Sequence, residues 1–244
     1  MIFPHIKVEE LFNEMVRSYP MACVLTDKIP HPDFANADYI FHHEKVVAEL
    51  KCIQVDNVKS PSNQAKINAA IDKFYAEGKI KTKEVNEGNW RGLPKELQET
   101  FYDITTNSIQ THVEKANKQI KHTKAQLGLK SYKGVLIIVN DGVESYPPSS
   151  FMHAVFRLLV KHYSSITFFI FITANIFVIT REHPMPIQMW IGLDMERDGK
   201  MDKAFSENLH NAWKGMVSKA TGIPSGNVEM NDIEGFWKAK SISI

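Results

Sequence analysis

An α/β fold is expected, with a mixed β-sheet flanked by helices. Two apolar runs, residues 133–139 (KGVLIIV) and 166–179 (ITFFIFITANIFVI), are rich in β-branched and aromatic residues, as buried strands are. Segments whose apolar residues recur at helical spacing lie before, between and after them, and such alternation builds layered α/β domains. The chain has 244 residues, 43% hydrophobic and 23% charged, which suffices for a sizeable core and excludes a disordered chain.

The elements follow in order. Val8, Leu11, Phe12, Met15 and Val16 share one helical face, predicting an N-terminal helix that ends before Pro20. Residues 38–42 (DYIFH) and 45–53 (KVVAELKCI) read as an antiparallel hairpin turning at His43 and Glu44. Pro61, Ser62 and Asn63 break that pattern, and residues 64–76 resume a helical period through Ile67, Ala70, Ile71 and Phe74. Polar, glycine-containing residues 77–92 read as an excursion from the core, and 93–127 as mostly helical. The run 133–139 ends at Asn140-Asp141-Gly142, a turn signal. A helix over 151–163, strands from 166–179 and 187–193, and a helix over 205–220 complete the chain. Without repeats or linkers, one domain covering 1–244 is expected, with an insertion at about 77–132.

Cys23 and Cys52 are too few for a disulfide framework and sit among apolar residues, which points to reduced thiols and a cytoplasmic chain. The N-terminus lacks the pattern of a secretory signal. Segment 166–179 is shorter than the roughly 20 residues of a spanning helix, so no membrane partner is expected. Gly-rich phosphate loops, a Gly-x-Ser-x-Gly elbow and Cys-x-x-Cys pairs are absent from the sequence, which argues against P-loop hydrolysis, the common serine-hydrolase arrangement and a zinc ribbon.

The informative conflict lies in the second strand of the hairpin. Glu49 and Lys51 are two residues apart, so alternation puts a carboxylate and an ammonium on one face between Val47 and Ile53. Buried charges need pairing, hydrogen bonds or a metal. Asp38 opens the preceding strand, and the hairpin brings it alongside Glu49. Two carboxylates and a backbone carbonyl suit a hard divalent cation, and a lysine beside them can orient water or offset charge on a phosphate.

Asp38 followed by Glu49-Leu50-Lys51 on the next strand, after an N-terminal helix, resembles the PD-(D/E)XK nuclease superfamily and its restriction-endonuclease-like core over about residues 1–78. The resemblance implies a Mg²⁺-dependent nuclease, with Mn²⁺ an alternative ion. By that likeness Asp38 and Glu49 bind metal, the carbonyl of Leu50 assists, and Lys51 is the catalytic lysine. Some members add a Glu on the first helix, for which Glu9 fits best and Glu14 less well, and a Gln on the helix after the motif strand, for which Gln64 fits. The literal Pro-Asp is Pro32-Asp33, so Asp33 is a rival to Asp38, and the position four after Gln64 is Asn68 where such members often have Tyr. Acid-x-Lys recurs at Glu77–Lys79 and Asp198–Lys200, but only Glu49–Lys51 lies in an apolar strand.

Residues 112–133 carry six lysines and one glutamate, leaving 23 basic and 27 acidic residues elsewhere. Lys115, Lys118, Lys121 and Lys124 spread over half a helical wheel opposite Val113, Ala116, Ile120 and Leu127, as a nucleic-acid contact surface or a solvated face does. Asp194, Glu196, Asp198 and Gly199 mimic a calcium loop but put Phe205 at its twelfth position, where a bidentate Glu is required. His42 and His43 read as structural, with His42 on the face of Asp38; Trp90, in a polar context, is a candidate partner contact. The expected partners are nucleic acid, DNA before RNA, and a second copy of the chain, in restriction, phage defence or repair. The competing reading is an inactive nucleic-acid-binding or assembly protein that keeps the nuclease-like fold.

Overall fold

A computed structural model describes residues 3–85, 92–183, 185–195, 203–224 and 233–243. The elements are α1 (Val8–Ser18), β1 (Ala22–Val24), α2 (Leu25–Lys28), β2 (Tyr39–Phe41), β3 (Val46–Ile53), a 3₁₀ turn (Asn57–Lys59), α3 (Pro61–Ala76), α4 (Lys95–Gln126) and β4 (Lys133–Asn140). They continue with α5 (Pro148–His162), β5 (Phe168–Thr173), β6 (Phe177–Ile179), β7 (Trp190–Asp194), α6 (Lys203–Thr221), α7 (Ile233–Trp237) and β8 (Lys240–Ile242). Six strands form a mixed sheet in the order β1-β2-β3-β4-β5-β7. The first three form an antiparallel meander, β3, β4 and β5 run parallel, and β7 closes the far edge antiparallel to β5.

The α/β class with a mixed sheet between helices is thus present. α1 and α6 cover one face through Phe12, Val16, Phe205, Leu209 and Trp213, which meet Val46, Ala48, Val135, Ile137 and Ile170. α4 and α5 cover the other through Val113, Ile120, Phe151 and Val155, packed on Val47, Leu136, Ile138 and Phe171. The central strands are buried on both faces, which accounts for their unbroken apolar sequence. Ser60 caps α3, accepting from the Asn63 N–H, and Pro61 occupies its first turn.

Several boundaries differ from expectation. Residues 166–179 split into two strands in different sheets, because β6 leaves β5 to pair with β8. The short β1 and α2 carried too few residues for periodicity to register. The segment expected as an insertion contains α4, whose later turns are part of the helical layer over β3 and β4, while its first turns join α3 in a satellite cluster of Ile71, Phe74, Ile80, Leu97 and Phe101. Cys23 and Cys52 are free thiols, half-buried rather than fully enclosed. Among the described residues no helix is long and apolar enough to cross a membrane.

Candidate active site

β2 begins only at Tyr39, opposite Ala48, while antiparallel β3 runs on past that point to Ile53. From Glu49 onward the β2-side edge of β3 therefore lacks a strand partner, and Asp38 supplies one: its Oδ2 accepts from the Leu50 N–H at 2.8 Å. A strand residue turns its N–H and C=O to the same edge, so the Leu50 carbonyl faces this opening too. Glu49 and Lys51 point to the α4 side of the sheet, and Lys51 Nζ donates to Glu49 Oε1. The same ammonium donates to Gln119 Oε1 at 2.9 Å, and Gln119 Nε2 donates to the Asn36 carbonyl at 2.8 Å, fixing which end of the amide faces the lysine. On the α1 side Tyr39 donates to Asn13 Oδ1 at 2.9 Å. These groups, with Glu9 at the rim, line a polar cavity of about 190 Å³.

Glu49 is 0% exposed, and no donor group reaches its Oε2, which only a proton shared with Asp38 would satisfy. Burial, and then the Asp38 charge, push its carboxyl up to about 8, with Lys51 offsetting part of the effect. Burial also raises Asp38, against the lowering influence of the Leu50 N–H and Lys51. Two acids forced together away from water, one with an orphaned oxygen, form a site short of positive charge. That donor set fits a hard divalent cation. Among the described residues no group of three or more His, Cys, Asp or Glu forms a complete metal cage; a Mg²⁺ ion that keeps several waters needs only one or two carboxylates.

Asp38, Glu49, Leu50, Lys51 and Glu9 are therefore brought together. Gln64 is not: it is exposed, and its amide donates to the Val58 carbonyl at 2.7 Å. Gln119 occupies the place in the cavity that Gln64 was expected to take, since α4 rather than α3 lies over this part of β3. Its only sequence signal was an amide bordering the apolar arc of a basic helix. Asp33 is exposed outside the cavity, and Glu14 turns away to pair with Lys219 at 3.5 Å. His42 is exposed against the Tyr132 hydroxyl rather than lining the cavity.

Helical geometry separates the α4 lysines. Lys115 lies about 40° around the helix from Gln119, Lys118 about 100° and Lys121 about 160°. All three are exposed, whereas Lys124 is half-buried on the opposite flank. Half-buried His112, on the Gln119 side, is pushed down by burial and by the charges of Lys51 and Lys115, so the basic face begins at the cavity mouth. Glu77 and Lys79 form an exposed ion pair at 2.7 Å. Trp90, Glu196, Asp198 and Gly199 lie outside the described residues. Compared with protein-family models, curated proteins and solved structures, the chain matches none.

Proposed function

We propose that this chain is a Mg²⁺-dependent nuclease, with a restriction-endonuclease-like core of PD-(D/E)XK type, hydrolysing phosphodiester bonds of DNA. The observation that carries the reading is the convergence of Asp38, Glu49 and Lys51 in one polar cavity, with a buried Glu49 oxygen that no donor group reaches. Asp38, Glu49 and the Leu50 carbonyl would hold the ion. When bound, it supplies charge neutralisation at the scissile phosphate and a more acidic bound water.

The chain's own groups do the rest. Glu49, in its ionised form, holds the Lys51 ammonium on one side while Gln119 holds it on the other, so two hydrogen bonds fix Nζ. From that point Lys51 can hydrogen-bond the attacking water or the non-bridging phosphate oxygen where negative charge develops. Gln119 is a positioning residue, anchored in turn on Asn36. Lys115 and Lys118, at the near end of the α4 basic face, receive the flanking backbone phosphates.

The test is a panel of duplex DNA, single-stranded DNA and RNA, each with Mg²⁺ or Mn²⁺ and with chelator. Divalent-dependent cleavage, abolished in Lys51→Ala and Glu49→Gln, is expected. Intact substrates throughout would leave the inactive binding protein as the reading, and variants as active as the parent would remove the catalysis from this cavity.

A further inference from the structure

The far edge of the sheet, three strands from the acidic cavity, carries a second feature. The ladder between β5 and β7 is bounded by bonds from the Thr173 N–H to the Met189 carbonyl and from the Met195 N–H to the Thr167 carbonyl. Antiparallel alternation then turns Ile191 and Leu193 toward β5 and leaves the N–H and C=O of Trp190 and Gly192 facing outward. Gly192 is exposed, a side chain there would meet Phe168 and Ser206, and among the described residues no backbone group pairs with its outward N–H and C=O.

This edge lies along a cleft of about 860 Å³. One wall is Trp190, His210, Trp213 and Val217, on the α6 side; the other is Ile191, Leu193, Phe236 and Trp237, on the α5–α7 side. The two walls therefore continue the two faces of the sheet past its last strand. A strand residue fills about 160 Å³, given a rise of about 3.3 Å, a spacing of about 4.8 Å and a thickness of about 10 Å. The cleft thus has room for about five residues, the length of β7 itself. Trp237 is 57% exposed, more than an apolar wall facing only water would favour.

We propose that this cleft takes an extended segment of a partner polypeptide, which adds to the β7 edge as a seventh strand. Its backbone pairs with Trp190 and Gly192, and its side chains alternate between the two apolar walls. Among the described residues lining the cleft there is no carboxylate, and His210, pushed down to about 4 by burial and by Lys214, is neutral. The segment is therefore apolar at the alternate positions that meet the walls. A second copy of this chain pairing through its own β7 fits less well, because each copy's edge is recessed between walls. The proposal does not depend on the catalytic reading.

The test selects binders from a displayed library of random dodecapeptides against the full chain, then measures synthetic winners by calorimetry. Enriched peptides are expected to alternate apolar residues, and N-methylation at alternate edge-facing amides should weaken binding by about tenfold or more, with little effect at the intervening amides. Leu193→Lys should weaken binding similarly; Trp237→Ala, at an exposed position, does so without endangering the fold. Failure to enrich any peptide, or affinity indifferent to N-methylation, overturns strand addition. A concentration-dependent dimer that Leu193→Lys dissolves would give the edge to a second copy, and tight binding of lauric acid without peptide binding would make the cleft a small-molecule site; either overturns the proposal.

Discussion

Replacing Glu49 with glutamine removes the carboxylate that the fold buries most completely in the cavity. In the unfolded chain this group titrates near its ordinary 4.5; in the folded protein burial and Asp38 push it up to about 8. Between those values the folded state holds a proton that the unfolded chain has released. The stability associated with this group is thus fully present below about pH 4.5 and is lost as pH rises through about 8. One group gives at most about 1.4 kcal/mol per pH unit, so at most about 4 kcal/mol between roughly pH 5 and 8. For a chain of this length that is at most about 8–16 °C in Tm. The assay is thermal unfolding followed by circular dichroism in chelator, parent and Glu49→Gln side by side, so that other titrations cancel. The Tm margin of the variant over the parent should widen as pH rises, and excess Mg²⁺ should narrow it by stabilising the parent's carboxylate pair. Parallel profiles would refute the burial argument, and a margin widening toward acid would refute its sign.

Gln119→Ala should lower kcat by about tenfold with little change in KM, because Lys51 keeps its charge and loses its second anchor; an unchanged kcat removes Gln119 from the site. Lys115→Gln should reduce the salt dependence of DNA binding by about one unit of slope, and Lys124→Gln by much less, since Lys115 is exposed one turn from Gln119 and Lys124 is half-buried on the other flank; equal effects would mean the whole face binds. Gly134→Ala places a methyl 1.9 Å from the Ser165 carbonyl oxygen and 2.8 Å from Ile120 Cγ2, and should cost about 3 kcal/mol or more, read as a fall in Tm or in soluble yield. His210, lowered to about 4 by burial and Lys214, should make stability rise with pH between about 4 and 6.5, a slope that His210→Phe flattens.

The outline of the fold was legible wherever burial dictates composition. Residues 133–139 could only be a central strand because both faces of β4 are covered, and the period of residues 8–16 reports the single face that α1 buries. What escaped was geometry set by long-range packing. Nothing local distinguishes residues 64–76 from 112–124 as the helix lying over Glu49, so the supporting amide was sought at Gln64 while α4 delivers Gln119 from 68 positions beyond Lys51. The division of 166–179 is set by β8, more than sixty residues later. The acidic cavity was legible for the opposite reason: a carboxylate and an ammonium inside an apolar strand contradict their surroundings, and such conflicts mark positions kept for something other than folding.

The most direct measurement is single-turnover hydrolysis of end-labelled DNA at saturating Mg²⁺ by the parent chain and by Asp38→Asn, each checked for native circular dichroism. Loss of the carboxylate that shares the cavity with Glu49 and takes the Leu50 N–H should slow cleavage by about 10²-fold or more, with no cleavage by either protein in chelator. Equal rates for parent and variant, or a parent that leaves DNA intact at saturating Mg²⁺, would contradict the account.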